Sequence, residues 1–440
     1  MSYMAAIDQL NAMTPELYAR TGQPRRKFSL DEVRTVLGAL GDPQTSFRSV
    51  LIAGTNGKGS TAATLASILT AAGHRTGLFS SPHLERPNER IQVDRKEIAD
   101  ADFARLLFLV LDKGEQLVSC GRLPQMPSYF EILTAQAFLY FAEREVEIAV
   151  LEVGMGGRLD ATNFVEPLLS IVTDISLDHM EWLGPTIGAI TREKAGILRG
   201  GGTMITLPQH PEANQTLGEA ATELGVRGVS AVPFLPAAAE KGPYQVEALG
   251  GSIEVNSPLS GAHQQRNIAL AIAAAVELST RHGLVVAPEA LEEGIRRTYW
   301  PGRLEHIMSS GVEWIFDVAH NPAGAWALRA GLRGVLRDGG PRTLVFSCLR
   351  DKPLTEMAQI LFPLFDGAIM APLHSARAAS MDDLLAAAKA TGTSAIAAES
   401  VREALRLAQD RSSGGVAVVS GSFYLVGEAR AQLLAGKVTT

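Results

Sequence analysis

Short runs of consecutive apolar residues recur along the chain, each followed by a longer stretch with apolar positions three and four apart. The runs at 49–53, 76–80, 148–153, 170–174 and 203–207 lack in/out alternation, which predicts strands buried on both faces. Helical spacing at 61–72, 102–117 and 130–144 predicts the helices that cover them. Buried strands alternating with amphipathic helices predict a parallel sheet with helices on both sides. The first 48 residues read as helical. Residues 226–258 break the rhythm with short strand-like pieces and many turn residues, which predicts a small antiparallel excursion. A helix over 263–282 closes this half. At Tyr299-Trp300-Pro301-Gly302-Arg303 the pattern resets. Strands at 314–318, 343–347, 368–370 and 416–420 then alternate with helices at 323–336, 354–361, 381–390 and 400–407, a second and smaller parallel α/β unit. The expected division is therefore 1–299 and 300–440.

Composition narrows the function classes. A chain of 440 residues is too long for one ordinary core, so two or three domains are expected, and 46% apolar residues are ample for folded cores. The net charge of −7 argues against a nucleic-acid binder, which usually presents a basic face. Small anionic ligands need only a few local cations, and Lys58, Lys194 and Arg303 are placed for that. The N-terminus lacks a basic patch followed by an apolar stretch, so no secretory signal is expected. The longest helical apolar run, 268–278, is too short to span a bilayer and contains Glu277. Cys120 and Cys348 are far apart and not in metal-ligand spacing. A reduced, cytoplasmic enzyme without a membrane partner is the expectation.

The most informative segment is Gly54-Thr55-Asn56-Gly57-Lys58-Gly59-Ser60, lying between a buried strand and a helix. A glycine-rich turn with a lysine at that place wraps backbone N–H groups around a polyphosphate, and the helix N-terminus adds positive charge. Two positions depart from the usual phosphate-loop pattern. Ile52 stands where a glycine is usual, and Gly59 follows the lysine in place of Ser or Thr.

Ligands of open parallel sheets bind outside the carboxyl ends of the strands. That rule gathers Ser81, Glu152 and His179 at the edge that carries the phosphate loop: a hydroxyl, a carboxylate and an imidazole. Each has a plainer reading. Ser81 precedes a proline in a turn, Glu152 can solvate the sheet edge or pair with Arg158, and His179 can be a structural histidine. Three glycines among residues 154–157 bring backbone close to a ligand and favour function for Glu152. Lys194 lies in a helical stretch where a solvated lysine is the ordinary reading. Beyond the reset, Arg303 follows a Pro-Gly turn, and Asp317-Val318-Ala319-His320-Asn321-Pro322 ends a strand with an acid and a histidine. A helix cap accounts for Asn321 there but not for Asp317 or His320.

Taken in order, GTNGKGS (54–60), SSPHL (80–84), NERI (88–91), EVGMGGRLDATN (152–163), LDHMEWLG (177–184), REKAGI (192–197), PGRLE (301–305) and FDVAHNP (316–322) resemble the folylpolyglutamate synthase and dihydrofolate synthase group. That group belongs to the Mur ligase superfamily of ATP-dependent amide-forming ligases. Gly421-Ser422-Phe423-Tyr424 resembles its C-terminal signature, so nearly the whole chain is covered.

The resemblance implies an N-terminal P-loop parallel-sheet ATPase domain and a smaller C-terminal Rossmann-like α/β domain. It implies that Thr55, Asn56, Gly57, Lys58, Gly59 and Ser60 hold the ATP phosphates, with Lys58 on the terminal ones. Ser81, Glu152 and His179 would hold Mg²⁺, and Lys194 would be carbamylated. Asn267, Arg303 and Asp317 would contact ATP, and His320 would support the transferred phosphoryl group. Phe28, Ser128, Tyr129, Phe130, Glu131, Leu159, Asp160 and Ala161 fall where bacterial bifunctional members bind the pterin-bearing substrate. Lys352 and Arg377 are candidates for the carboxylates of the incoming glutamate.

The implied reaction joins L-glutamate to dihydropteroate, to the glutamate tail of a tetrahydrofolate, or to both, through an acyl phosphate. The implied protein is a monomer acting on small molecules, with closure of its domains excluding water. Within the superfamily the rival is a cell-wall precursor ligase, which carries a nucleotide-sugar-binding domain ahead of the phosphate loop. Only 53 residues precede Gly54 here. A nucleotide-dependent regulatory switch is the rival from another class, and it has no need of Arg303, Asp317 and His320.

Overall fold

The computed structural model describes residues 2–13, 30–237, 242–333, 335–336 and 340–436. Phe28 and the basic patch Arg25-Arg26-Lys27 lie outside the described residues. The chain divides into two compact units. The first comprises Met1–Ser81, Pro87–Ser257 and Arg266–Thr298, and the second Pro82–Arg86, Pro258–Gln265 and Tyr299–Thr440.

The strands of the first unit are β1 (Arg48–Ala53), β2 (Thr76–Phe79), β3 (Ile91–Val93), β4 (Lys96–Glu97), β5 (Ile148–Glu152), β6 (Leu169–Val172), β7 (Thr203–Thr206), β8 (Arg227–Ser230), β9 (Tyr244–Ala248) and β10 (Gly251–Val255). Its helices are α1 (Tyr3–Ala12), α2 (Leu30–Ala39), α3 (Lys58–Ala71), α4 (Asp100–Ser119), α5 (Tyr129–Glu143), α6 (Met180–Leu183), α7 (Ile187–Ala195), α8 (Pro211–Leu224), most of α9 (Ala262–Arg281) and α10 (Pro288–Arg296). The main sheet has the order β4-β3-β2-β5-β1-β6-β7-β8, parallel from β2 to β8. β1 is therefore flanked by β5 and β6, and the carboxyl ends of β2, β5, β1 and β6 form one continuous edge. Leu51, Ala53, Phe79, Ala149 and Leu151 pack with α4 and α5 in one core. The alternate residues Val50, Ile52, Leu78 and Val150 are buried as well. Two covered faces are the physical reason these strands read as unbroken apolar runs.

The excursion expected over 226–258 is smaller than its sequence suggests. β9 and β10 do form an antiparallel hairpin, but β8 joins the main sheet parallel to β7. A four-residue edge strand of alternating burial carries too few apolar residues to announce its partner. The antiparallel strands β3 and β4, of three and two residues, escape the apolar pattern because they too are short.

The second unit is built from β11 (Glu305–Ser309), β12 (Val312–Asp317), β13 (Arg342–Phe346), β14 (Gly367–Met370), β15 (Ala395–Ala397) and β16 (Val416–Ser420). Their order is β11-β12-β16-β13-β14-β15, all parallel except the edge strand β11. Its helices are α11 (Pro322–Leu332), α12 (Leu354–Leu361), α13 (Met381–Ala390), α14 (Val401–Arg411) and α15 (Phe423–Leu434). Phe346, Leu328, Met357 and Leu361 lie in a core on one side of this sheet, and Trp314, Phe316, Leu405 and Leu425 in a core on the other. Among the described residues no helix is long and apolar enough to cross a membrane.

Candidate active site

The loop after β1 is held by its neighbour on β6. Gly54 approaches Thr173 so closely that a Cβ would overlap the threonine hydroxyl. Gly57 has φ 89°, and a Cβ there would overlap the side-chain amide of Asn267. The N–H groups of Thr55 and Asn56 both donate to the Asp174 carbonyl, at 2.9 and 3.2 Å. The Thr55 hydroxyl donates to the Ser176 carbonyl and accepts from the Ser176 N–H, each at 3.0 Å. The structure thus divides the run that the sequence treats as one cradle. Thr55 and Asn56 anchor it to the β6 loop, whereas Lys58, Gly59 and Ser60 open α3, where first-turn N–H groups have no helical carbonyl to bond. Those donors and the helix dipole suit an anion. Gly57→Ala is expected to weaken nucleotide binding by about tenfold or more through the positive φ and the Asn267 overlap. Calorimetric titration with ADP checks this, and an unchanged affinity would show that the loop tolerates a side chain there.

Lys194, on α7, is 5% exposed and not the solvated lysine of the ordinary reading. Its Nζ donates to the Gly54 carbonyl at 2.8 Å, and the Nζ of Lys58 donates to the same oxygen at 3.1 Å and to the Thr55 carbonyl at 3.3 Å. Burial, with the Lys58 charge adding to it, pulls the Lys194 amine down to about 7. At neutral pH it is therefore substantially an uncharged nucleophilic amine.

Glu152 ends β5 and is buried, and one carboxylate oxygen accepts the Ser81 N–H at 3.1 Å. Because β2 and β5 are paired, the structure brings Ser81 and Glu152 together. His179 follows β6, on the far side of β1, at φ 50° with its N–H on the Asp178 carboxylate at 2.9 Å. Its ring Nε2 is 3.9 Å from that carboxylate. Among the described residues no three His, Cys, Asp or Glu side chains converge in a ready metal cage.

The residues assigned to the pterin-bearing substrate have structural duties too. Ser128 and Glu131 form a reciprocal cap at the start of α5: the serine hydroxyl accepts the Glu131 N–H at 3.3 Å, and the Glu131 carboxylate accepts the Ser128 N–H at 2.7 Å. Tyr129 lies under the Arg90 guanidinium, 5.3 Å from the ring centroid, and Phe130 packs on Phe79 at 5.7 Å. Asp160 is buried, which raises its pKa, and its oxygens accept from the Thr162 N–H at 3.0 Å, the Thr162 hydroxyl at 2.6 Å and the Met155 N–H at 3.0 Å. It shapes the glycine-rich loop, with Leu159 half-buried and Ala161 buried beside it.

In the second unit Asp317 closes β12. Its two oxygens accept the N–H groups of Leu304 and Ala319, each at 2.9 Å, so it fixes the turn that carries Arg303. Burial raises the Asp317 pKa, and the nearby His263 and Arg303 act against that rise. His320 places Nδ1 2.9 Å from the Val318 carbonyl, which assigns the proton to Nδ1. The Phe423 ring lies 5.3 Å from the His320 ring and 5.0 Å from the Arg303 guanidinium carbon. Asn321 caps α11 by accepting the Gly324 N–H at 2.8 Å, as the capping reading expects. Lys352 is buried, whereas Arg377 already pairs with Asp351 at 2.8 and 2.9 Å.

Residues 52–275 match the Mur ligase middle domain, and residues 302–423 match the Mur ligase glutamate ligase domain. The folylpolyglutamate synthase of Lacticaseibacillus casei is 33% identical over 99% of this chain and 100% of its own length. The dihydrofolate synthase/folylpolyglutamate synthase of Bacillus subtilis is 34% identical over 92% of this chain and 95% of its own. The chain belongs to the folylpolyglutamate synthase and dihydrofolate synthase family. Two solved structures agree at the level of the fold. Mycobacterium tuberculosis folylpolyglutamate synthase complexed with ADP superposes with a TM-score of 0.85 at 32% identity, covering 98% of each chain. Escherichia coli FolC in complex with DHPP and ADP gives 0.85 at 31%, covering 99% of each. The family's ligases form amide bonds at the expense of ATP, so this chain is a member of an ATP-dependent ligase group.

Seen as a member of this family, the chain holds two residues that sequence reasoning left without a role. Phe423 enters the sequence pattern only as part of a C-terminal signature, and its aromatic type next to a glycine-serine turn is the available signal. Asp174 enters it as the end of a strand. Its part in holding the phosphate loop comes from its backbone carbonyl, which no side-chain pattern reveals.

Proposed function

We infer that the protein ligates L-glutamate to a pteroate or folate carboxylate with ATP, as both a dihydrofolate synthase and a folylpolyglutamate synthase. The observation that carries this reading is the phosphate loop: a helix N-terminus pinned by Thr173 and Asn267, with two lysine amines on one of its carbonyls. The names of the Bacillus subtilis and Escherichia coli relatives pair both activities, which supports the bifunctional form.

A carboxylate is a poor acyl donor, so its oxygen first takes the γ-phosphoryl group of ATP, releasing ADP. The α-amine of glutamate attacks the acyl carbon, the C–O bond to phosphate breaks, and the amine proton passes to solvent. Phosphoryl transfer of this kind needs positioning and charge neutralisation more than covalent help from the protein. Lys58 neutralises the terminal phosphate, and Gly59 and Ser60 donate backbone N–H groups to it. Asn267 borders the loop, Arg303 and Asp317 contact the nucleotide, and His320 steadies the transferred group. Phe130, Tyr129, Leu159 and Ala161 line the pterin side.

Mg²⁺ suits the donor chemistry of the residues present. A buried carboxylate beside a serine hydroxyl, with an imidazole after β6, offers a few ligands, and this ion completes its shell with waters and phosphate oxygens. Ser81, Glu152 and His179 would hold it, and its charge would offset that of the phosphates. The unmodified Lys194 amine is set to add CO₂, giving a carbamate and one proton. The two free cysteines, one buried and one exposed, suit a reducing compartment such as the cytoplasm.

The deciding assay is ATP-dependent incorporation of labelled glutamate, with dihydropteroate and tetrahydrofolate as separate acceptors. Incorporation with both is expected. Incorporation with tetrahydrofolate alone reduces the reading to a folylpolyglutamate synthase, and activity only on a muramyl acceptor overturns it.

A further inference from the structure

Two consecutive residues near the start of α9 reach the phosphate loop from different directions. Asn267 borders Gly57 directly. Arg266 acts one step removed. Its Nε and Nη2 grip the Asp174 carboxylate at 2.8 and 2.5 Å, and Nη2 also donates to the Pro208 carbonyl at 3.0 Å. The backbone carbonyl of that same Asp174 receives the N–H groups of Thr55 and Asn56. On the other side of the β6 loop, the Ile175 N–H donates to the Gln209 side chain at 2.7 Å.

We propose that Arg266 is a positioning residue for the nucleotide site, setting the phosphate loop through a bidentate ion pair with Asp174. This rests on the reading of residues 54–60 as the ATP phosphate loop. A planar guanidinium fork fixes a carboxylate in orientation as well as distance, which a lysine ammonium does not. Tethering the Asp174 side chain to α9 restrains the backbone of that residue, and its carbonyl receives Thr55 and Asn56. The Lys58, Gly59 and Ser60 donors follow directly in the chain. The pair is partly exposed, with side-chain exposures of 29% and 41%. An exposed pair of this kind adds little to global stability. Its removal therefore loosens the register of the loop and leaves the β6 loop attached through Gln209.

The test compares Arg266→Ala, Arg266→Lys, Asp174→Asn and the double variant R266A/D174N in the full-length protein. ADP affinity, KM for ATP, KM for glutamate and melting temperature are the readouts. R266A and D174N are each expected to raise the ADP Kd and the ATP KM about tenfold, with KM for glutamate at saturating ATP unchanged. R266K should recover part of the loss. The double variant should be no worse than the worse single one, because both remove one interaction. Unchanged ADP affinity in R266A, or losses that multiply in the double variant, overturns the proposal. A fall in melting temperature together with a rise in both KM values would show a merely structural arginine and overturn it equally. Should R266A fail to fold, R266K and D174N decide by the same criteria. A wild-type protein that does not bind ADP removes the underlying functional reading and this proposal with it, a result distinct from loss confined to the variants.

Discussion

Lys58→Ala is expected to lower kcat for glutamate ligation by about 10³-fold or more, since one well-placed charge on the transferring group commonly contributes that much. The fold should survive. Lys58 opens α3, and its amine donates to the Gly54 and Thr55 carbonyls of its own loop. Its removal also takes a positive charge away from Lys194, one of the two causes holding that amine below its ordinary value. Melting temperature should therefore stay level or rise slightly while activity disappears. Steady-state kinetics and thermal denaturation on the same preparation check both halves. Turnover within tenfold of wild type would sink the assignment of the loop.

Lys194 offers the second large effect, with a pH signature. Only its neutral amine adds CO₂, so carbamylation and ligation should fall as pH drops through about 7. Activity lost in bicarbonate-free buffer should return on adding bicarbonate, and a carbamate carbon should appear in the NMR spectrum with labelled bicarbonate. Lys194→Met should lose activity by about 10²-fold or more whatever the bicarbonate concentration. Stability gives an independent readout. The folded amine titrates near 7 and the ordinary value is 10.5, so between those values the unfolded chain binds a proton that the folded chain does not. In bicarbonate-free buffer the contribution is thus fully present above 10.5 and is lost as pH falls to about 7. Denaturation at pH 7 and pH 9 should show wild type gaining stability with pH, and Lys194→Met should flatten that gain. An identical slope in both proteins, with activity indifferent to bicarbonate, would return Lys194 to the role of a structural lysine.

Much of the fold was legible because burial on both faces leaves its mark on every residue of a strand. β1, β2, β5, β6 and β7 lie where unbroken apolar runs predict them, as do β12, β13, β14 and β16. The edge strands β4, β8, β11 and β15, and the three-residue β3 next to β4, were not legible. Each edge strand leaves one side of its ladder open, and β3 is too short to show a period, so composition there is only weakly constrained. Among the site residues, Lys58 declared itself through its glycines. Lys194 did not, because its sequence neighbours are ordinary helical residues and its burial against Gly54 is a contact across 140 positions.

The order of strand-end motifs determined, from sequence alone, the α/β class and the family of phosphate-handling ligases. Local chemistry suffices for that, since glycine turns, helix starts and apolar runs are encoded by adjacent residues. Tertiary structure alone decided which of those groups work together. It set Thr55 and Asn56 on the Asp174 carbonyl, placed Arg266 behind that aspartate, and gave Arg303 and His320 one shared aromatic ring. It also moved the Lys194 amine to about 7. These depend on distance and desolvation between residues far apart in the chain, and no local pattern carries either quantity.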